Sequence, residues 1–145
     1  MQPKIRYSTG ALTLALALCP AGAQAQQWNL AVVRAELAHQ WGYTGKGVLV
    51  AVIDSGIDAG HRAFRGRLDG RSRGFATSNP NMLVDSDGHG THVAGIIGAA
   101  RGVGPMYGIA YDANILALRS MDDNEEQNTP PALQYAAQLG VKVLN

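Results

Sequence analysis

Cysteine is almost absent from this sequence. Cys19 is the only one, so no disulfide can form within the chain, and stability must come from packing or from bound ions. Charge of one sign is also scarce: 12 Lys and Arg against 11 Asp and Glu leave a net charge of +1. That balance supplies no bulk attraction to nucleic acid or to an anionic membrane, and nucleic acid is not expected as a partner. The apolar run ALTLALAL, Ala11 to Leu18, falls short of the about 20 residues that a membrane-spanning helix needs. What is plentiful is ordinary core material, with 46% hydrophobic residues, as in a globular domain. Arg62, Arg65, Arg67, Arg71 and Arg73 form a basic run, but no aromatic or motif context accompanies them. They read as a solvated loop.

The first residues have the order of an export signal. Lys4 and Arg6 precede the apolar run, and Ala23-Gln24-Ala25 follows it as a small-residue cleavage site. Residues 1–25 are therefore expected to be a signal peptide, cut after Ala25, and residues 26–145 the folded part. Cys19 would leave with the signal. The product is expected to be secreted or held at the cell surface after a transient periplasmic stage.

Along the remaining chain, Leu30, Val33, Leu37 and Trp41 recur at helical spacing and Gly42 follows as a stop. VLVAVI, Val48 to Ile53, is a continuous apolar run bounded by Gly47 and Asp54-Ser55-Gly56, which suits a strand buried on both faces. Residues Asp58 to Asp85 are polar and predict loop with a short strand at most. A helix follows with Val93, Ile96, Ile97 and Ala100 on one face. Its Gly95 and Gly98 each cost about 1 kcal/mol against alanine, which makes sense where a neighbouring backbone comes close. Ile115 to Leu118 predicts a second strand and Asp122 to Asn128 an acidic loop. Thr129 then caps a helix that buries Leu133, Ala136 and Ala137 and ends at Gly140. VKVLN is a third strand. The β-α-β-α-β order argues a parallel α/β sheet. The apolar ending, with no cap and no covering helix, is expected to be the front of something longer.

Reacting groups in such a sheet gather at the carboxyl ends of strands. Asp54 stands at one, either as a half-buried carboxylate with a partner or as a cap of its own turn. His89 opens the next helix between Gly88 and Gly90, its imidazole open to a substrate. A helix N-terminus disfavours imidazolium, whereas a carboxylate on the other ring nitrogen favours it, and Asp54 is a candidate for that second role. A competing reading puts His89 and His92 on one metal with Asp85 or Asp87. The spacing lacks the H-E-x-x-H pattern, and Asp85-Ser-Asp87-Gly88 lacks the rest of a calcium loop. His92 is expected to be a packed, hydrogen-bonded core histidine.

VAVIDSGID (Val50 to Asp58) and HGTHVAGIIGA (His89 to Ala99), in that order, resemble the Asp and His signature segments of the subtilisin-like serine proteases, the subtilases of peptidase family S8. The resemblance runs from about Trp41 to Asn145. It implies an incomplete subtilisin-like α/β fold, a parallel sheet with flanking helices. It also implies a serine-type endopeptidase acting on proteins or peptides, with Asp54 the orienting carboxylate, His89 the general acid/base and His92 outside the catalysis. The family's oxyanion-hole Asn and its Ser within Gly-Thr-Ser-Met-Ala are missing. Ser55, Ser72, Ser78, Ser86 and Ser120 stand in no such context, so no nucleophile is assigned and the chain alone is expected to be inactive. The loop Arg101 to Met106, where many relatives place calcium ligands, offers no carboxylate or side-chain amide, and no metal or cofactor is expected. Gly108-Ile-Ala-Tyr111 replaces the family's Gly-Val-Ala-Pro. The short interval between signal and Trp41 resembles that of bacterial autotransporter subtilases. The alternatives are an exported inactive fragment or pseudo-enzyme, and a metal-dependent hydrolase at His89 and His92.

Overall fold

Two apolar runs set the architecture. In the computed structural model, which describes residues 27–75, 83–121 and 125–145 (the side chains of 125–127 excepted), they form the central strands β1, Leu49–Asp54, and β3, Asn114–Arg119. β1 and β3 pair in parallel from Leu49 opposite Asn114 to Asp54 opposite Arg119. β2, Arg73–Gly74, adds to the far side of β3, and β4, Val143–Leu144, to the far side of β1. The order is β2-β3-β1-β4, all parallel. The expected signal peptide, Ser78, Asp122 and Asp123 lie outside the described residues, and Glu125 and Glu126 are described in backbone only.

Alternation along the central strands sends side chains to two separate cores. Val50, Val52, Ile115 and Ala117 face α3, His89–Gly98, and pack with Ile57, Phe64 and Ala94. Ala51, Leu116 and Leu118 face α4, Glu125–Gln138, and pack with Ala132 and Ala136. Helices on both faces explain why these strands read as unbroken apolar runs instead of alternating ones.

The helices differ from expectation in instructive ways. The first splits into α1, Trp28–Val32, and α2, Ala35–Gln40, at Arg34, whose φ is +54°. Leu30 and Ala35 are both buried, yet five residues place them about 140° apart on a straight helix. The left-handed break re-aims α2 so that both face inward, and Val33, Leu37 and Trp41 are left exposed. Gly42, at φ +87°, follows as the stop. The buried line of α3 is Gly90, Ala94 and Gly98, flanked by Val93 and Ile97; Ile96 is exposed and Ala100 lies past the helix end. A Cβ on Gly98 would meet Ile115, as close packing requires, whereas one on Gly95 would meet nothing.

α4 begins before Thr129 and carries Pro130 and Pro131 inside it. Its buried residues are Ala132 and Ala136, with Tyr135 and Leu139 beside them, while Leu133 and Ala137 are exposed. Nor is the arginine run simply solvated. Arg67 reaches Asp112 at 3.2 Å, Arg71 grips Asp69 through two bonds of 2.8 Å, and the Arg73 guanidinium lies 5.1 and 5.2 Å from the ring centres of Phe75 and Tyr135.

Candidate active site

β1 delivers Asp54 to the carboxyl end of the sheet, where the chain must turn at once. Gly56 makes that turn at φ +132°, and a Cβ there would meet the carbonyls of Leu83 and Val84 at 2.6 and 2.8 Å. Only glycine fits both the angle and the space. The Ile57 amide donates to the Leu83 carbonyl at 2.7 Å, so the long excursion after β1 returns beside the strand it left. Gly88, at φ +91°, then starts α3 with His89 as its first residue. Gly90 presses on the other side: a Cβ there would collide with the Gly56 carbonyl and come within 3.1 Å of Asp54. Glycine-to-backbone contact thus sets how near the helix start comes to the strand end.

The structure brings Asp54 and His89 together. His89 Nδ1 lies 2.7 Å from Asp54 Oδ1. The carboxylate side chain is 5% exposed and the imidazole 58%. A buried carboxylate only accepts, so Nδ1 carries the hydrogen and Nε2 holds the lone pair of the neutral ring. Asp54 Oδ1 also accepts the Ser55 amide at 2.7 Å. The hydrogen bond from Nδ1 to Asp54 and the charge of Asp54 hold the His89 pKa above its ordinary 6.5, and the charges of Asp87 and Asp85 add to the effect. The opposing positive potential of the helix start is spent: the His89 amide donates to Asp87, the Gly90 amide to Ser55 Oγ and the Thr91 amide to Asp85.

Asp85, Ser55 and Thr91 escaped the sequence reading as a unit. Asp85 Oδ1 accepts the Ser55 hydroxyl and the Gly88 amide, each at 2.8 Å. Its Oδ2 accepts the Thr91 amide at 2.8 Å and the Thr91 hydroxyl at 2.6 Å. Asp85 and Asp87 are therefore acceptors for the start of a helix, and an Asp three residues before a helical Gly-His is the capping signal that would have shown it. Burial alone would raise the Asp85 pKa; the bonds from Thr91, Gly88 and Ser55 outweigh it and hold the carboxyl down at about 2, against an ordinary 3.8.

These shifts fix the signs of a pH response. Asp85, lowered on folding, stabilises the fold above about pH 4, and that contribution is lost as pH falls toward about 2. His89, raised on folding, stabilises below its ordinary 6.5 and ceases to as pH rises through its folded value. Thermal midpoints of the parent are expected to fall more steeply in the acid window than those of Asp85→Asn. Parallel acid limbs for the two would refute the assignment.

His92 is not the core residue expected. It is exposed, and it lines a cavity of about 640 Å³ with Gly95, Ile96, Phe64 and Tyr107, to which Asp54 and His89 do not contribute. Helical geometry accounts for this: His92 stands two positions from Gly90 and Ala94, the buried line of α3. Among the described residues no three His, Cys, Asp or Glu side chains are grouped so as to hold a metal ion.

An acid leaving a parallel strand thus touches an imidazole that opens the next helix. Residues 45–145 match the subtilase family of peptidases (Peptidase S8), and the chain belongs to that family. It is similar to an extracellular serine protease of Serratia marcescens, 38% identical over 117 residues, covering 79% of this chain and 11% of that protein. It is also similar to subtilisin E of Bacillus subtilis, 40% identical over 100 residues, covering 69% of this chain and 26% of that protein. Among solved structures, MycP1 from Mycobacterium smegmatis superposes with a TM-score of 0.70 at 28% identity, covering 87% of this chain and 37% of that one. The chain thus spans between a tenth and two fifths of the proteins it matches.

Proposed function

We propose that this chain supplies the acid–base half of a serine endopeptidase that acts on proteins or peptides outside the cytoplasm. The observation that carries the reading is the 2.7 Å contact between His89 Nδ1 and buried Asp54 Oδ1, which leaves Nε2 free toward solvent. In the reaction, Nε2 takes the proton of a serine hydroxyl as its oxygen attacks a peptide carbonyl. Asp54 stabilises the imidazolium, which then protonates the leaving amine, and water hydrolyses the acyl-enzyme by the same route. Residues 1–25 act as the export signal and residues 26–145 as the front of the peptidase domain. The name extracellular serine protease, borne by the Serratia relative, agrees with export. Among the described residues no helix is long and apolar enough to cross a membrane.

The serine and its oxyanion hole are not among these 145 residues. Ser55 and Ser120 are buried, and the Ser55 hydroxyl faces two carboxylate oxygens, Asp85 Oδ1 at 2.8 Å and Asp54 Oδ1 at 3.2 Å. We therefore expect the purified chain to release no product from an unstructured peptide substrate over background hydrolysis, because the covalent step and the main electrostatic stabilisation are both missing. Turnover that a serine-directed inhibitor abolishes would overturn this.

A further inference from the structure

Asp54 Oδ1 faces more hydrogen-bond donors than an imidazolium partner should have to share. It accepts His89 Nδ1 and the Ser55 amide, each at 2.7 Å, and the Ser55 hydroxyl oxygen stands 3.2 Å away. That hydroxyl has one proton, and Asp85 Oδ1 competes for it from 2.8 Å. The Gly90 amide donates to the same Ser55 oxygen at 2.9 Å, occupying a lone pair, and the shorter reach to Asp85 favours the orientation in which the proton points there. Among the described residues, every bond that Asp85 makes is to this small circle: Ser55, Gly88 and Thr91. Thr91 Oγ1 in turn accepts the Asp58 amide at 2.9 Å, tying the circle to the chain that leaves β1.

We propose that Asp85 is a positioning residue for the Asp54–His89 pair, acting through Ser55: it draws the Ser55 hydroxyl proton away from Asp54 and so reserves the Asp54 charge for His89. The inference rests on the reading of Asp54 and His89 as the acid–base pair. A third hydrogen bond to Asp54 Oδ1 would disperse the negative charge that stabilises imidazolium, and His89 would become a weaker base. With an amide in place of Asp85, one end of the side chain must present N–H groups either to Ser55 and Gly88 or to the Thr91 donors. In the first case the Ser55 proton turns to Asp54; in the second the first turn of α3 loses its acceptor.

The test is an NMR titration of the His89 ring in the labelled 145-residue chain and four variants. Asp87→Asn calibrates the plain loss of a nearby charge, because Asp87 acts on His89 through space more strongly than Asp85 does. Asp85→Asn is expected to lower the His89 pKa further than Asp87→Asn does. Ser55→Ala is expected to leave it at the parent value, since the proton removed was not on Asp54. In Asp85→Asn/Ser55→Ala the excess drop should vanish, a restoration that a loosened helix start would not show. A drop no larger than that of Asp87→Asn, or one undiminished in the double variant, overturns the proposal. Should Asp85→Asn fail to fold, Ser55→Ala still decides: a rise in the His89 pKa would mean the hydroxyl proton had been on Asp54 all along. A parent whose His89 titrates at or below its ordinary value would instead remove the acid–base pair itself, and the role of Asp85 with it.

Discussion

Replacing Asp54 by Asn is expected to lower kcat about 10⁴-fold in an enzyme where this chain supplies the acid and base, with little change in KM. The reason is tautomeric. The carboxylate accepts from Nδ1 at 2.7 Å and so keeps the Nε2 lone pair available to a serine proton. An amide of the same shape offers N–H groups to Nδ1, which moves the ring hydrogen to Nε2 and removes the base while leaving the fold in place. It also deletes the charge that raises the His89 pKa, so His89 should titrate at or below its ordinary 6.5. The two readouts separate causes. A loss of kcat with an unchanged His89 titration would point to some other defect, and a loss under tenfold would remove Asp54 from the reaction.

Gly90→Ala is expected to be among the most damaging single methyls in the described structure. Overpacked cores commonly lose 1–3 kcal/mol, and a rigid obstacle pushes the cost to the top of that range, about 3 kcal/mol. Here the obstacles are the Gly56 carbonyl and Asp54 itself, neither a flexible side-chain end. Relief requires α3 to lift from β1, which stretches the contact between His89 and Asp54. The matched control is Gly95→Ala in the same helix, where the added carbon meets nothing and helix propensity should contribute about 1 kcal/mol of stability. Opposite shifts in thermal midpoint are therefore expected from two chemically identical changes five residues apart. Equal shifts would mean that Gly90 is not a point of contact.

The central strands were legible because burial on both faces forces an unbroken apolar run, which is the form in which Val48 to Ile53 and Ile115 to Leu118 appear. The Asp54–His89 pair was legible for a related reason: glycines crowd the two places where backbones must meet, Gly56 and Gly90, and those residues form part of the signature segments. Much of what was missed lies where a residue's neighbours come from distant sequence. The left-handed Arg34 carries no glycine or asparagine to announce it, and the inward aim of α2 depends on a core that only the folded chain supplies. Pro130 and Pro131 predicted a helix start because proline lacks the N–H that an interior position uses, yet α4 extends a turn further upstream. His92 looked like core because it follows His89 in a small, apolar helix, whereas its angular position turns it outward.

The touch of the Gly90 segment on Gly56 has a consequence for how such a protein can change over time. Acid and base ride on separate elements, yet their separation is gauged by main-chain atoms and by the Ile57–Leu83 bond. Exposed positions on the stretch between those two residues, such as Ala59 and Arg65, can therefore be exchanged without altering the spacing of the reacting groups, whereas Phe64 in the core and β2 in the sheet are held to it. Variation is quarantined at such positions, and the chemistry is inherited with the scaffold.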